Sequence, residues 1–200
     1  MVKPLILAST SVYKKKLLER LNIGFTCASP KTNEEPISNE QPQSLAMRLA
    51  QEKALVVAKS HPEAIIIGSD QVGEHNSNIL NKPGNFDQAF KQLSTQSGQT
   101  VYFHSAVAVA YTCKTGETNI ETAINSTKVV FKDLTPQQIE DYLKIEQPFD
   151  CAGSFKSEGL GISLFNSIDS NDPTSIIGLP LIELCNILKK YNIKIPDILD

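Results

Sequence analysis

Apolar residues recur along this chain in two periods. Unbroken branched runs, Leu5-Ile6-Leu7-Ala8 and Ile65-Ile66-Ile67, suit strands covered on both faces by helices. Helical spacing relates Tyr13, Leu17, Leu18 and Leu21 after the polar turn Ser9-Thr10-Ser11, and again Leu45, Leu49, Ala50, Ala54, Val57 and Ala58 between about Pro42 and Lys59. Phe25 to Ala28 reads as a short strand, and Pro30, Pro36 and Pro42 bracket a polar surface loop. Glu74 to Asn78 is rich in turn formers before Ile79-Leu80. Asn85 with Gln88 resembles a capping box opening a short helix, Phe86 to Leu93. Thr100–Thr112 and Thr118–Phe131 are long strand patterns joined by a hairpin turn at Lys114-Thr115-Gly116-Glu117. Thr135-Pro136 with Gln138, and Leu134 stapled to Ile139, is the sharpest helix start, predicting a helix to about Glu146. A glycine-rich polar loop, Cys151 to Gly161, precedes an expected strand Ile162–Phe165 and a turn at Asn171-Asp172-Pro173. Pro180 opens a last amphipathic helix carrying Leu181, Ile182, Leu184, Cys185 and Leu188. Strands alternating with helices, plus one long hairpin, predict a single α/β domain over residues 1–200.

Composition narrows the possibilities. With 200 residues and 40% hydrophobic content the chain can bury a core without disulfides or metal. A net charge of −3 and a pI near 5.7 disfavour nucleic acid as a partner, which needs a broad basic face. Cys27, Cys113, Cys151 and Cys185 form no C-x-x-C pair and are expected to be reduced core thiols. The first apolar run is too short for a signal-peptide core and no later run approaches a membrane span, so the chain is expected to be cytoplasmic, with no membrane partner.

The candidate chemistry sits in three polar segments. Ile65-Ile66-Ile67-Gly68-Ser69-Asp70-Gln71-Val72 reads as a buried strand delivering Asp70 to a sheet edge, where ligands bind in such sheets; the plainer alternative is an Asp that caps the next turn. Lys14, Lys15 and Lys16 fall at the start of the first helix, where the macrodipole disfavours cations unless an anion is bound, so Ser9 to Ser11 and an ammonium make a phosphate cradle; otherwise the lysines only solubilise an exposed helix. Glu34-Glu35 lies in the proline loop. His61, His75 and His104 form no nucleophile-base pair, and there is neither a Walker A motif nor a dinucleotide fingerprint. Hydroxyls, cations and carboxylates therefore suggest phosphate chemistry, with carboxylates suited to Mg²⁺ or Mn²⁺ and one of them activating water. By pattern alone Lys53 is an ordinary surface lysine.

Leu5-Ile6-Leu7-Ala8-Ser9-Thr10-Ser11 before a basic helix, Glu34, Gln51-Glu52-Lys53-Ala54, Ile67-Gly68-Ser69-Asp70-Gln71, Lys82-Pro83 and the string from Cys151 to Gly159 resemble the Maf family of nucleotide pyrophosphatases, most closely its YceF-type subgroup. The resemblance implies an elongated, mixed α/β sheet flanked by helices, with two lobes around a central cleft, often as a homodimer. It implies metal-dependent cleavage of a nucleoside triphosphate between its α and β phosphates, 7-methyl-GTP being the substrate of that branch. Other triphosphates such as dTTP or UTP, or a non-catalytic nucleotide-binding regulator of cell division, are the alternatives. Carried over, Asp70 matches the proton acceptor, and Glu34, Lys53 and Lys82 match the metal and phosphate set, with Glu34 and Asp70 as metal ligands. Tyr13, Gln71 and Glu158 match base-selecting positions, beside Ser9, Ser11 and Lys14 on the substrate. A methylated, cationic guanine would favour the Tyr13 face, and Glu158 could accept from guanine N1–H and its amine. The chain departs from the pattern at Lys14, where Arg is usual, at Tyr13, where Trp is expected, and at Asn33, which replaces an Asp.

Overall fold

The computed structural model describes residues 3–113 and 115–195. Seven strands form one mixed sheet: β1 (Leu5–Ala8), β2 (Thr26–Ala28), β3 (Ile65–His75), β4 (Asn78–Leu80), β5 (Thr100–Thr112), β6 (Thr118–Phe131) and β7 (Phe165–Asp169). Their order is β2-β1-β3-β5-β6-β7, with β4 paired to β3 off this path. β1 runs parallel to β2 and β3, and the remaining pairings are antiparallel. Five α-helices flank the sheet: α1 (Val12–Glu19), α2 (Pro42–Ala58), α3 (Phe86–Gln96), α4 (Pro136–Glu146) and α5 (Leu181–Lys190).

The period of two in the long strands divides the core. On one face Ile66, Ala106, Ala108 and Ala110 meet α2; on the other Ile65, Ile67, Val107 and Val109 meet α1 and α5. The far ends of β5 and β6 leave both clusters and join α3 and α4 in a third, around Phe103, Phe131, Phe155 and Phe165. Two lobes thus share one sheet, as the resemblance implied, and the cleft lies where they meet. α4 begins with the expected reciprocal cap: Gln138 N–H donates to Thr135 Oγ1 at 3.3 Å and Thr135 N–H to Gln138 Oε1 at 2.9 Å. Asn85 caps α3 by accepting from Gln88 N–H at 3.0 Å, without the reciprocal bond.

Several expectations are corrected. β3 does not stop near Asp70 but continues to His75, because β5 pairs with it as far as Glu74. Asn76 and Ser77, both with positive φ (51° and 62°), then close a tight turn into β4. Ile162–Phe165 is not a strand: Leu160–Leu164 is a 3-10 turn and β7 starts at Phe165. In the hairpin turn Lys114 lies outside the described residues; around it Gly116 N–H donates to the Cys113 carbonyl at 2.9 Å. The cysteines are free but are not core residues, Cys27 being exposed and the other three half-buried. Among the described residues no helix is long and apolar enough to cross a membrane.

Candidate active site

β1 accompanies β3 only to Gly68, and β4 joins it at Gly73, leaving Ser69 to Val72 with one edge unclaimed by a strand. A crevice opens there, so Asp70 reaches it from mid-strand. The Ser69 carbonyl on this edge accepts from Lys14 Nζ at 2.7 Å. Lys14 alone of the three lysines is turned onto β3; Lys15 pairs with Glu19 at 3.9 Å, and Lys16, which lines the cleft, belongs to the last turn of α1.

Gly68 explains how α2 reaches the site. A Cβ there would stand 2.2 Å from the Ala50 carbonyl oxygen and 2.7 Å from Ala54 N, so only glycine lets the helix lie this close. That contact delivers Lys53, which is buried rather than a surface lysine, onto the strand. Its Nζ is 2.6 Å from Asp70 Oδ1 and 2.6 Å from Glu34 Oε1. Burial pulls this ammonium down, but the two carboxylates outweigh it and hold it above its ordinary range. Burial likewise pushes Glu34 up, and Lys53, with the fields of Lys82 and Lys14, reverses the effect and keeps it below the usual carboxylate range. Lys14 lacks a carboxylate in contact. Burial pushes it down to about 8, with repulsion from Lys53 and Lys82 adding to the effect and Asp70 and Glu34 opposing it.

The loop carrying Glu34 is strapped down by Arg48. Its Nε donates to Glu40 Oε1 at 2.7 Å, Nη2 to Glu40 Oε2 at 2.8 Å and to the Glu35 carbonyl at 3.1 Å, and Nη1 to Glu52 at 3.1 Å. The expected pairing with Glu52 is present, but the strap to Glu40 carried no periodic signal. Asn33 accepts from Glu35 N–H at 3.1 Å, so it shapes the loop where an Asp would add a charge.

One cavity of about 630 Å³ is lined by Ser9, Ser11, Tyr13, Lys14, Glu34, Lys53, Asp70, Gln71, Lys82 and Glu158, which is every residue proposed from the sequence. Its two ends differ in charge. At one end stand Lys14, Lys53 and Lys82 around Asp70 and Glu34. At the other stands Tyr13, and burial, followed by the nearby Cys151, Asp150 and Glu158, raises its phenol to about 12. Cys151 donates to Asp150 at 3.4 Å, and burial and that carboxylate push its thiol up to about 12, so it stays protonated and is no nucleophile. Asp150 was missed: it lies just ahead of the Cys151 string, in a loop with no period to mark it. Phe155 holds the whole string in place, its ring edge-on to Phe103 at 5.0 Å and Phe165 at 4.8 Å. Ser9 Oγ accepts from Ser11 N–H at 3.1 Å and Ser11 Oγ caps α1 through Lys14 N–H at 3.4 Å, giving the α1 entry a fixed shape. Lys156, inside the string, turns its ammonium away to the Glu146 carbonyl at 3.0 Å.

A family model described as Maf-like protein matches residues 4–191. The chain belongs to the Maf-like family. It is 51% identical over 191 residues to a 7-methyl-GTP pyrophosphatase of Pseudoalteromonas atlantica, covering 96% of each chain. It is 48% identical over 187 residues to a protein of the same name from Polaromonas, covering 94% of this chain and 84% of that one. Among solved structures, a HAM1 protein from Coxiella burnetii overlaps 94% of this chain and 100% of its own at 12% identity, with a TM-score of 0.45. Among the described residues no group of three or more His, Cys, Asp and Glu side chains converges on a metal position. Within this Maf-like site Glu34 and Asp70 are instead two hard oxygen donors already gathered around one cation, the Lys53 ammonium. That suits a magnesium-like ion, which binds through one or two carboxylates and takes its other ligands from water and substrate phosphate.

Proposed function

We propose that this Maf-like protein hydrolyses the α–β phosphoanhydride of 7-methyl-GTP or a close relative, releasing the nucleoside monophosphate and diphosphate. The observation that carries this reading is the asymmetry of the cavity: three ammonium groups interleaved with Asp70 and Glu34 at one end, and an aromatic face beside Asp150 and Glu158 at the other. A triphosphate with a cationic base has the complementary pattern. The names of the relatives point to the same substrate.

In this reading Lys14, Lys53 and Lys82 hold the phosphate oxygens, drawing off the charge that builds as the anhydride breaks. Asp70 has one oxygen bound to Lys53, and its other has no hydrogen-bond partner among the described residues, so that oxygen takes the proton of the attacking water as the new phosphorus–oxygen bond forms. Glu34, kept anionic by the lysines, holds Lys53 from the opposite side. Glu34 and Asp70 are the residues that would hold a divalent ion, which when bound neutralises phosphate charge and acidifies water. Tyr13 and Glu158 receive the base, the first through its face and the second through guanine N–H groups. We place this reaction in the cytoplasm.

Diphosphate release from 7-methyl-GTP, GTP, dTTP and UTP, measured with Mg²⁺ or Mn²⁺ and with chelator, tests the proposal. 7-Methyl-GTP should turn over fastest, and only with metal. Faster turnover of dTTP or UTP would sink the substrate assignment. Asp70→Asn should abolish turnover and retain nucleotide binding; loss of both would make Asp70 a ligand rather than a base.

A further inference from the structure

Gln71 lies on the opposite face of β3 from Asp70 and still lines the cavity, because the missing strand edge exposes both faces there. Its Nε2 has three neighbours within hydrogen-bond distance: Ser105 Oγ at 3.0 Å, the Ser175 carbonyl at 2.9 Å and the Ile176 carbonyl at 3.0 Å. The two carbonyls can only accept. Ser105 is fully buried, and its single hydroxyl proton goes to the same Ser175 carbonyl at 2.6 Å, so toward Gln71 it too can only accept. Turning the amide over would set Oε1 against two carbonyls that have no proton to give, and the Ser105 hydroxyl could meet it only by giving up the Ser175 carbonyl. Orientation is therefore fixed by the network, with Nε2 inward. Oε1 has no hydrogen-bond partner among the described residues and sits beside Gly178, 3.9 Å from where a Cβ would stand, in the space that Lys14 Cε also approaches.

The turn holding this amide is itself fixed. Ser69 Oγ donates to the Gly178 carbonyl at 2.9 Å. The buried Asp172 accepts from Thr174 N–H at 2.9 Å and from Ile182 N–H at the start of α5 at 2.7 Å. Ser69, Ser105, Asp172 and Thr174 stand behind the cavity wall, whereas Gln71 lines it.

We propose that Ser105 is a positioning residue for nucleotide selection: with the Ser175–Ile176 carbonyls it fixes the Gln71 amide so that only an acceptor oxygen meets the ligand. The site then takes a base edge that presents N–H groups, as guanine does, over one that presents a ring lone pair in the same place, as adenine does. This deepens the function proposed above and rests on it for the identity of the substrate, but not for the binding split that tests it.

The experiment measures binding of two half-ligands to Ser105→Ala: 7-methylguanosine, which has no phosphate, and inorganic tripolyphosphate, which has no base. The expected result is nucleoside affinity weakened about 5- to 20-fold, on the scale of one hydrogen bond loosened in a buried site, with tripolyphosphate affinity within twofold of wild type. In turnover, KM for the nucleotide rises while kcat stays near wild type, and Ser105→Thr, which restores the hydroxyl, recovers part of the loss. Unchanged nucleoside affinity in a folded Ser105→Ala protein overturns the proposal, as does an equal loss for both half-ligands. Should Ser105→Ala not fold, Ser105→Cys, close in size and with a far weaker hydrogen-bonding group, gives the same two readings: selective loss of nucleoside binding supports the positioning role and none refutes it. A wild-type protein that binds both half-ligands but releases no diphosphate would defeat the hydrolytic reading and leave this one standing.

Discussion

Two lysines in one cavity are held in opposite ways, and the difference predicts how the site responds to pH. Lys53 touches two carboxylates and stays a cation throughout the working range; Lys14 touches a backbone carbonyl and loses its proton near pH 8. The shift is downward, so Lys14 is charged below about 8 and neutral above it, and triphosphate binding weakens as pH rises through that value. This belongs to the free protein, so kcat/KM should fall above about pH 8 while kcat, measured with phosphate already bound and stabilising the cation, falls later. Lys14→Arg, always protonated, should move the alkaline fall of kcat/KM upward; an unmoved profile would show that another group controls it. Lys53→Met should cost about 10²-fold or more in turnover, since it removes a donor preorganised against developing charge. The helical spacing held a signal for Lys53, which lies four residues from both Leu49 and Val57 on the apolar stripe of α2, but it could not name the partners; Gly68 opposite lets the helix come close enough to bury the lysine against Asp70.

At the scale of elements, the placement of α2 on β3 and the strap across the Glu34 loop decide whether the site exists. Gly68→Ala should cost roughly 1–3 kcal/mol, because the new methyl meets the backbone of α2 and cannot be accommodated by a rotamer change. Calorimetry should show a lower Tm for Gly68→Ala than for the control Gly24→Ala, where nothing lies within 4 Å, and turnover should drop with it. The strap has its own pH signature. Hydrogen bonds from Arg48, ahead of the opposing effect of burial, pull Glu40 from 4.5 to about 2. A depressed carboxylate contributes stability above its unfolded value and loses it as pH falls through the folded one. The stability difference between wild type and Arg48→Gln should therefore be constant above about pH 4.5 and shrink toward pH 2, a trend denaturant melts across that range would reveal. Elements marked by local chemistry were legible: the Thr135-Pro136 cap, the long β5–β6 hairpin and the spacing of α2. The polar string Gly-Ser-Asp-Gln reads as a strand end, yet β5 continues to pair with it. Ile162-Ser163-Leu164 reads as a strand, yet Gly161 lies against the Lys156 backbone, where a Cβ would stand 2.4 Å from its carbonyl oxygen, and the chain coils there instead.

Over the whole molecule, one cavity carries a lysine-rich cluster around Asp70 and Glu34 at one end and Tyr13 beside Asp150 and Glu158 at the other, and that asymmetry is the property by which a substrate would be recognised. The lysine-rich end is built from α1, α2, β3 and the loop after β4; the other end joins α1 to the Cys151–Glu158 string, which the aromatic cluster of the second lobe anchors through Phe155. No period in the sequence relates Tyr13 to Asp150, so the charge pattern emerges only when the lobes come together. It makes a specific demand. If Asp150 and Glu158 receive a methylated, cationic guanine, neutralising both as Asp150→Asn and Glu158→Gln should hurt 7-methyl-GTP more than GTP, because only the former carries charge on its base. An interaction of about 1–2 kcal/mol between cation, ring face and neighbouring carboxylates corresponds to roughly 5- to 30-fold in relative kcat/KM. The lysine-rich end is left intact, so inhibition by tripolyphosphate should be unchanged, separating lost selectivity from a damaged cleft. Equal losses for 7-methyl-GTP and GTP would mean that the carboxylates read the shared N–H edge of guanine and that the charge of the base plays no part in its selection.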